Sequence, residues 1–480
     1  MTAILEAPTA ETTVGRHRWL GLSAILGATL MNLLDSTVVS VGGPAIQADL
    51  GGGYAALQWI AAGYTLALAV GLLTGGRLGD MFGRRRMLLL GTAGFVLTSL
   101  ACALSPTPEV LIVARVLQGL TGAVMIPQGF GLIRDLFPPA ELGKAFGAFG
   151  PVIGLATILG PVVAGLLVDA DVLGTGWRMI FLINLPLGAY ALAVGSRVLP
   201  AVPASARSTR LDLGGSVLAG AGMLLLIYPL VQGRELGWPG WSLVMMAASV
   251  PVLGAFGLHQ LRRKRAGATT LVEPGIFRRR SYTSGIAFVI VFFGAVCGFG
   301  LAIGMFLQLG LGHTALHASL TMATWAVGAF LGTAFAGARM AVLGRRILHL
   351  GLAVMAAGIA ALYVVLRLGG TGDWELALPL LAYGVGMGMI FVPLFGIIMG
   401  EVEDHEVGSA SGALESIQQL GASLGIAVLG TVFFGRLGSH LPGTAKLDAA
   451  QAAASVTLIT LGLTAVAFAI GFLLPEKARG

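Results

Sequence analysis

The sequence predicts an all-α integral membrane protein, and two features of its composition and pattern carry this prediction. Of the 480 residues, 56% are hydrophobic and 11% are charged, whereas a soluble domain carries about 25% charged residues. The apolar residues also fall into fourteen windows, each long enough to cross the hydrocarbon core of a bilayer as a helix. The fourteen predicted spans are 19–42, 54–76, 86–104, 109–130, 143–168, 177–198, 211–231, 241–260, 284–309, 318–337, 347–366, 375–398, 410–434 and 454–474.

The positive charges between these spans predict how the chain is oriented. If the N-terminus is cytoplasmic, the segments on that side hold 23 Lys and Arg residues, against 4 on the other side. The positive-inside rule therefore places both termini in the cytoplasm, in a multi-pass protein of the cytoplasmic membrane whose basic loops face an anionic inner leaflet. Because the net charge of +7 is explained by these loops, no nucleic-acid partner is predicted.

An internal repeat indicates two related halves. Residues 76–85, after the second span, and 337–346, after the tenth, both consist of Gly, six residues and then Gly-Arg-Arg. The copies lie eight spans apart rather than seven, so an extra helix pair (about 211–260) is expected between two six-helix halves. The predicted divisions are an N-terminal segment (1–18), a first bundle (19–198), an inserted segment with a basic loop (199–283), a second bundle (284–474) and a tail (475–480).

Five motifs follow one another in the first bundle. They occupy residues 34–39, 76–85, 115–119, 160–165 and 177–186. In this order they resemble the motifs of the major facilitator superfamily, and specifically of its fourteen-helix drug:proton antiporters, over essentially the whole chain. Met81 and Ala164 depart from the residues usual in that family. The resemblance implies the major facilitator fold, with two pseudo-symmetric six-helix bundles and two additional central helices.

Asp35 lies inside the first predicted span, where a carboxylate costs several kcal/mol unless it is paired or neutralised. Arg115 of the fourth span is predicted at the same depth, because each residue is roughly 9–10 Å along its helix from the outer surface. Pairing favours the ionised carboxylate, and separation in a desolvated site favours the protonated one. The pair is therefore predicted to bind and release a proton during transport. The alternative is a static ion pair that joins the first and fourth spans.

Further polar residues within the spans are candidates for the substrate cavity. Gln118 lies on the same helical face as Arg115, and Glu415 shares a face with Gln419 near the start of the thirteenth span. With Asn32 of the first span, Gln118 and Gln419 are predicted to line the cavity, and Glu415 to take part in proton coupling. The alternative for Glu415 is an acid in the first turn of a helix, favoured there by the helix dipole.

The loop after the second span offers a conformational latch. Asp80 and Arg84 are four residues apart and flank Gly83, beside the start of the third span. A carboxylate there can cap the helix and pair with arginine, and the resemblance implies that this contact breaks when the inner side opens. The alternative is that these charged residues only set the membrane topology. The second copy of the repeat favours this alternative, because Ala341 stands there in place of the acid.

The fifth span carries the remaining predicted site residues, Gly160, Pro161 and Gly165. Small residues allow close helix approach and proline interrupts the backbone ladder, and the resemblance ties this Gly-Pro motif to antiport.

Other chemistry is not predicted. No phosphate-binding loop occurs, since Gly143-Lys144 is followed by Ala145, and no nucleophile motif is present. His313 and His317 are four residues apart but have no acidic neighbour in sequence, so neither a metal site nor a cofactor is predicted. The chain is expected not to be an enzyme.

The predicted function is proton-driven efflux of a small lipophilic drug, antibiotic or toxic metabolite, by a monomer whose partners are that substrate and protons. The ninth and tenth spans lack Asp and Glu, so neutral or monovalent compounds are expected. The alternatives are a proton-coupled importer or an exporter of an endogenous metabolite with the same fold, or a membrane sensor or scaffold.

Overall fold

The computed structural model describes residues 10–51, 54–148, 174–200, 212–403, 406–437 and 445–475, with isolated positions between 149 and 173. All the regular structure in these residues is helical. The α-helices are α1 (Ala10–Leu50), α2 (Tyr54–Phe82), α3 (Arg84–Ala103), α4 (Pro108–Met125), α5 (Gln128–Leu136), α6 (Pro139–Gly147), α7 (Met179–Leu182), α8 (Asn184–Val198), α9 (Leu213–Glu235), α10 (Gly240–Arg265), α11 (Arg280–Met305), α12 (Ala315–Leu343), α13 (Arg346–Arg367), α14 (Asp373–Met399), α15 (Val407–Leu437) and α16 (Ala445–Gly471). Two 3₁₀ turns, Gly176–Arg178 and Ile276–Arg278, precede α7 and α11, and a π-helical segment, Phe306–Gly310, follows α11.

The described part of the chain holds thirteen helical stretches that are long and apolar enough to cross a membrane. Helices α4 and α5 together form one of them, Pro108–Leu136, and the 3₁₀ turn with α7 and α8 forms another, Gly176–Val198. The thirteen stretches correspond to every predicted span except the fifth. That span, 143–168, falls largely on residues that are not described. The prediction of an all-α, multi-pass membrane protein is confirmed, while the domain boundaries stay a prediction.

Helices α1–α8 (the first half) and α11–α16 (the second half) each pack mainly among themselves. In the first half α2 packs on α4, α1 on α8, and α3 on α4. In the second half α14 lies between α12 and α13, while α11 packs on α15. Glycine permits the closest approaches, since a Cβ on Gly75 of α2 would lie 1.9 Å from the Ala123 carbonyl oxygen of α4. These contacts follow the small-residue packing that replaces hydrophobic driving force in lipid.

The two halves meet through α2, which packs on α15, and through α5 and α6, which pack on helices of the second half. A Cβ on Gly76 would lie 2.3 Å from the Gly408 carbonyl oxygen, so the two helices touch backbone to backbone. Nearby, Arg134 of α5 donates a hydrogen bond to the Val402 carbonyl at 3.3 Å. These contacts lie at the end of the bundle that carries Arg77, Arg84 and Arg134, which we call the basic end.

The inserted helices α9 and α10 lie beside the contact between the halves. Helix α9 packs on α10 and on both α2 and α15. The rings of Trp59 in α2 and Tyr228 in α9 are 5.5 Å apart. The indole of Trp238, in the turn after α9, donates to Thr431 of α15 at 3.3 Å. Because α9 touches one helix from each half, the inserted pair spans the seam between them. Most of α10 is exposed, as expected for a helix that faces lipid.

Candidate functional site

The Asp35 carboxylate and the Arg115 guanidinium form a fully buried ion pair. Arg115 NH1 lies 2.5 Å from Asp35 Oδ2, and the two residues are 1% and 0% exposed. The structure therefore brings together the two charges that the sequence places at one depth. Such a pair persists away from water only when the remaining donors and acceptors of both groups are satisfied.

Three neutral polar side chains surround this ion pair. We call Asp35, Arg115 and these three residues, Ser99, Gln118 and Asn184, the polar cluster. Asp35 Oδ1 accepts hydrogen bonds from Gln118 Nε2 at 2.9 Å and from Asn184 Nδ2 at 2.8 Å. Both amides also donate to the Ser99 hydroxyl, at 2.7 and 3.1 Å. Arg115 NH1 donates in turn to Gln118 Oε1 at 2.6 Å. Charge-assisted hydrogen bonds of this kind fix the carboxylate in one orientation.

Two members of the polar cluster, Ser99 and Asn184, were not predicted as site residues. Each is a polar side chain within an apolar span, and Asn184 lies in one of the five motifs. Their polarity was therefore the available signal. Their convergence on Asp35 was not visible, because Asn184 is 149 residues away along the chain. Gln118, predicted to line the substrate cavity, lies in the polar cluster and is not among the cavity-lining residues.

A cavity of about 500 Å³ lies between the two halves and is lined by residues of both. The predicted residues Asn32, Gln419 and Glu415 all line it. Among the described residues that line the cavity Glu415 is the one carboxylate, and its side chain makes no hydrogen bond or ion pair with the described part of the chain. The remaining wall is mostly apolar, as in most small-molecule sites. Its aromatic members are Tyr64, Phe130, Phe292, Phe293, Trp325, Phe391 and Phe395.

Tyr64 belongs to both the cavity and the surroundings of the ion pair. It lines the cavity, and its ring lies 4.2 Å from the centre of the Arg115 guanidinium. Its hydroxyl donates a hydrogen bond to Asn32 Oδ1. Helix α2 thus supplies a wall that separates the cavity from the polar cluster while it contacts both.

The predicted latch residues lie at the basic end. Asp80 is 8% exposed and accepts a hydrogen bond from the backbone N–H of Gly408, in the first turn of α15. Arg77 donates to Asp80 at 3.4 Å, whereas Arg84 lies 3.8 Å from it. Asp80 therefore contacts a helix N-terminus of the opposite half rather than that of α3, the helix considered from the sequence.

Gly83 and Arg84 hold the turn between α2 and α3. Gly83 has φ 91°, a conformation that favours glycine. Arg84 NH1 donates to both carboxylate oxygens of Asp135 in α5, at 3.0 and 3.2 Å. The main partner of Arg84 thus lies within the first half, while Asp80 bonds across to the second half.

Of the antiporter motif, only Gly160 is described; it is helical and buried. Pro161 and Gly165 lie outside the described residues.

At the end of the first half opposite the basic end, Asp49 of α1 accepts hydrogen bonds from Trp177 Nε1 at 2.9 Å and Arg178 NH1 at 2.6 Å. These two bonds lower the pKa of Asp49 below its usual value. They tie the end of α1 to the segment that leads into Asn184, so the first and sixth spans are joined both at this end and in the polar cluster.

Comparison with known proteins agrees with this architecture. The model of the Major Facilitator Superfamily matches residues 25–426. A probable actinorhodin transporter of Streptomyces coelicolor is 48% identical over 449 residues, covering 93% of this chain and 77% of that protein. The puromycin resistance protein pur8 of Streptomyces alboniger is 34% identical, covering 95% and 90% of the two chains. The tetracenomycin C resistance and export protein of Streptomyces glaucescens is 33% identical, covering 88% and 77%.

The crystal structure of the human organic anion transporter MFSD10 has the same fold, with a TM-score of 0.62, 16% identity and coverage of 95% of this chain and 100% of that one. The chain belongs to the major facilitator superfamily, and its relatives place it in a drug-efflux family of that superfamily. It is a multi-pass membrane transporter of a small molecule, and not an enzyme.

Proposed function

We propose that this protein exports a small lipophilic drug, antibiotic or toxic metabolite across the cytoplasmic membrane in exchange for protons. The proposal rests on one observation. Tyr64 contacts Arg115 of the fully buried Asp35–Arg115 pair and also lines the apolar cavity between the two halves. Relatives named as antibiotic transporters and resistance proteins support the efflux direction. Both termini would then be cytoplasmic, the basic end would face the anionic inner leaflet, and a monomer would suffice for transport.

The polar cluster supplies a reason for proton coupling. Ionised Asp35 is stabilised by Arg115, Gln118 and Asn184 together. A conformational change that separates α1 from α4 or α8 removes these donors, and a desolvated carboxylate without them takes up a proton. Re-formation of the cluster releases that proton. Alternation between the two states therefore transfers one proton for each cycle in which Asp35 changes partners.

The cavity supports the substrate class. Its wall combines aromatic rings with a few amides and hydroxyls, which suits a lipophilic compound with few polar groups. Glu415 offers a single negative charge, so a monovalent cation can be accepted together with neutral compounds, and Glu415 is a second candidate for proton binding. Two relatives are named for actinorhodin and tetracenomycin C, and stacking on the Phe and Trp side chains fits aromatic compounds of such a kind.

The proton gradient is large enough for this task. Each proton that moves inward through 100 mV supplies about 2.3 kcal/mol, which corresponds to a roughly fifty-fold gradient of a neutral substrate. The contact of Asp80 with the first turn of α15 would hold the inner end closed while the substrate leaves on the outer side.

The decisive experiment measures drug flux and lumenal pH together in everted vesicles that contain the protein. Uptake of an aromatic antibiotic with simultaneous release of protons from the lumen is the expected result. Flux in the opposite direction would instead identify a proton-coupled importer. Transport confined to endogenous metabolites would identify a metabolite exporter. Absence of any proton-coupled flux over a broad compound panel would refute the proposal and favour a sensor or scaffold.

A further inference from the structure

Three potential metal ligands converge at the end of the second half opposite the basic end. His313 lies in the segment before α12, His317 in the first turn of α12, and Asp373 at the first position of α14. One ligand atom from each side chain lies within 4.8 Å of the other two. The sequence alone does not predict a metal site here, because His313 and His317 have no acidic neighbour in sequence. The fold supplies that acid from 56 residues away.

The three side chains are already ordered relative to one another. The imidazole rings of His313 and His317 stack at 3.8 Å with 9° between their planes. His317 Nε2 lies 2.9 Å from Asp373 Oδ2, and Asp373 Oδ1 accepts a hydrogen bond from Thr321 at 3.1 Å. Thr321 thereby orients the carboxylate, as partners of metal ligands commonly do.

One nitrogen of the three side chains has no hydrogen-bond partner among the described residues. His313 Nδ1 is buried and makes no hydrogen bond with the described residues, which is costly for a polar nitrogen. The contact between His317 and Asp373 leaves this nitrogen unsatisfied. A metal ion coordinated through this nitrogen would satisfy it.

We propose that His313, His317 and Asp373 bind a divalent transition-metal ion of the zinc type, with a water molecule at the remaining position. Two imidazole nitrogens and one carboxylate oxygen are a ligand set that Zn²⁺ favours over Mg²⁺ or Ca²⁺. Zinc lies about 2.0–2.1 Å from such atoms, so tetrahedral ligands are roughly 3.4 Å apart. At present the three ligand atoms lie within 4.8 Å of one another and His317 Nε2 is 2.9 Å from Asp373 Oδ2, so metal binding would require rotation of the half-exposed His317 and Asp373 side chains.

The position of the site gives the ion a structural effect. It joins the start of α12 to the start of α14, and both helices line the cavity through residues such as Trp325 and Phe391. A bound ion fixes these two helix ends to each other and therefore raises the thermal stability of the second half.

The test uses the purified full-length protein without a polyhistidine tag, titrated calorimetrically with Zn²⁺ after treatment with a chelator. We expect one ion per chain, a dissociation constant in the micromolar range or below, and a Zn²⁺-dependent rise in melting temperature that the chelator reverses. The affinity should fall at least about ten-fold in His313→Ala, His317→Ala and Asp373→Asn.

His17→Ala is the matched control, because His17 is an exposed histidine in α1, remote from the cluster in sequence and fold. Titration with Co²⁺ gives a second readout, since its visible spectrum reports the coordination of the bound ion in the wild-type protein alone. Wild-type protein that binds Zn²⁺ with a dissociation constant of about 1 mM or weaker would overturn the proposal, since 1 mM corresponds to only about 4.1 kcal/mol of binding free energy. Equal affinity in the wild type and all three ligand variants would overturn it as well.

Discussion

The Tyr64 ring covers the Arg115 guanidinium at 4.2 Å, and the other side of the same residue lines the cavity. A substrate that enters the cavity therefore touches the residue that shields the ion pair, without touching Asp35 or Arg115 themselves. The hydroxyl of Tyr64 also donates to Asn32, a second lining residue on the same helix as Asp35. Substrate contact at either Tyr64 or Asn32 can thus displace α1 or α2 relative to the ion pair.

Replacement of Tyr64 separates the role of its ring from that of its hydroxyl. Tyr64→Leu removes a desolvated cation–π contact worth about 2 kcal/mol and exposes Arg115 to the cavity. We expect drug-induced proton release from everted vesicles to fall strongly. Tyr64→Phe is the matched control, because it keeps the ring over Arg115, and it should retain most of the coupling. Equal proton release in the Leu and Phe variants would show that the shielding ring plays no part.

Asp35→Asn tests the coupling site itself. Asn cannot exchange a proton near neutral pH, so uphill transport driven by a pH gradient should be lost. The structure adds a second expectation. Asp35 accepts hydrogen bonds from Arg115, Gln118 and Asn184, so the NH₂ group of an Asn at this position would face other hydrogen-bond donors. The Arg115 charge would also lose its ion-pair partner, and we expect the free energy of unfolding to fall by about 3–5 kcal/mol. Proton flux and melting temperature should be measured together.

The double variant Asp35→Asn with Arg115→Gln distinguishes the two effects. It removes the unpaired charge and should recover much of the lost stability, while proton-driven transport stays absent. Recovery of coupled transport together with stability would mean that Asp35 only holds α1 and α4 together.

The sequence allowed the spans and the principal charges to be predicted, because apolar length and a charge at membrane depth are local signals. Asp35 and Arg115 were paired from helix geometry alone, since both lie on long helices that run between the same two surfaces. Gln118 could not be assigned correctly in this way. Its spacing placed it on the Arg115 face, but whether that face meets the cavity or α1 depends on how the helices are rotated. The contact of Asp80 with Gly408 and the approach of Asp373 to His317 depend on packing between distant segments, which no local pattern reports.

Asp80→Asn tests the latch at the basic end. Asp80 is buried and accepts from the first turn of α15, where a negative charge is stabilised by up to about 2 kcal/mol. Loss of the charge should shift the conformational equilibrium away from closure at this end by up to about thirty-fold. Turnover should fall while membrane insertion is unchanged, since the arginines that set topology remain.

Asp135→Asn is the control, because Asp135 binds Arg84 within the first half. It should affect turnover less, and an equal or larger loss in Asp135→Asn would contradict the assignment.

Glu415→Gln tests how the cavity distinguishes substrates by charge. Glu415 is the one carboxylate among the lining residues that the structure describes, so it is the expected counter-charge for a monovalent lipophilic cation. A hydrogen bond to a charged group contributes about 1.5–3 kcal/mol, and its removal should weaken the binding of such a cation by at least about ten-fold.

Binding of a neutral aromatic compound should change little, because the Phe and Trp side chains of the wall are unaltered. Divalent cations should compete poorly with either probe in the wild type, since no second carboxylate is found among the described residues that line the cavity. The measurement is competition for a fluorescent substrate in reconstituted protein, with Gln419→Ala as a control that alters the same helix face without removing charge. If Glu415→Gln weakens neutral and cationic compounds equally, Glu415 acts through the shape of the cavity or through proton binding rather than as a counter-charge.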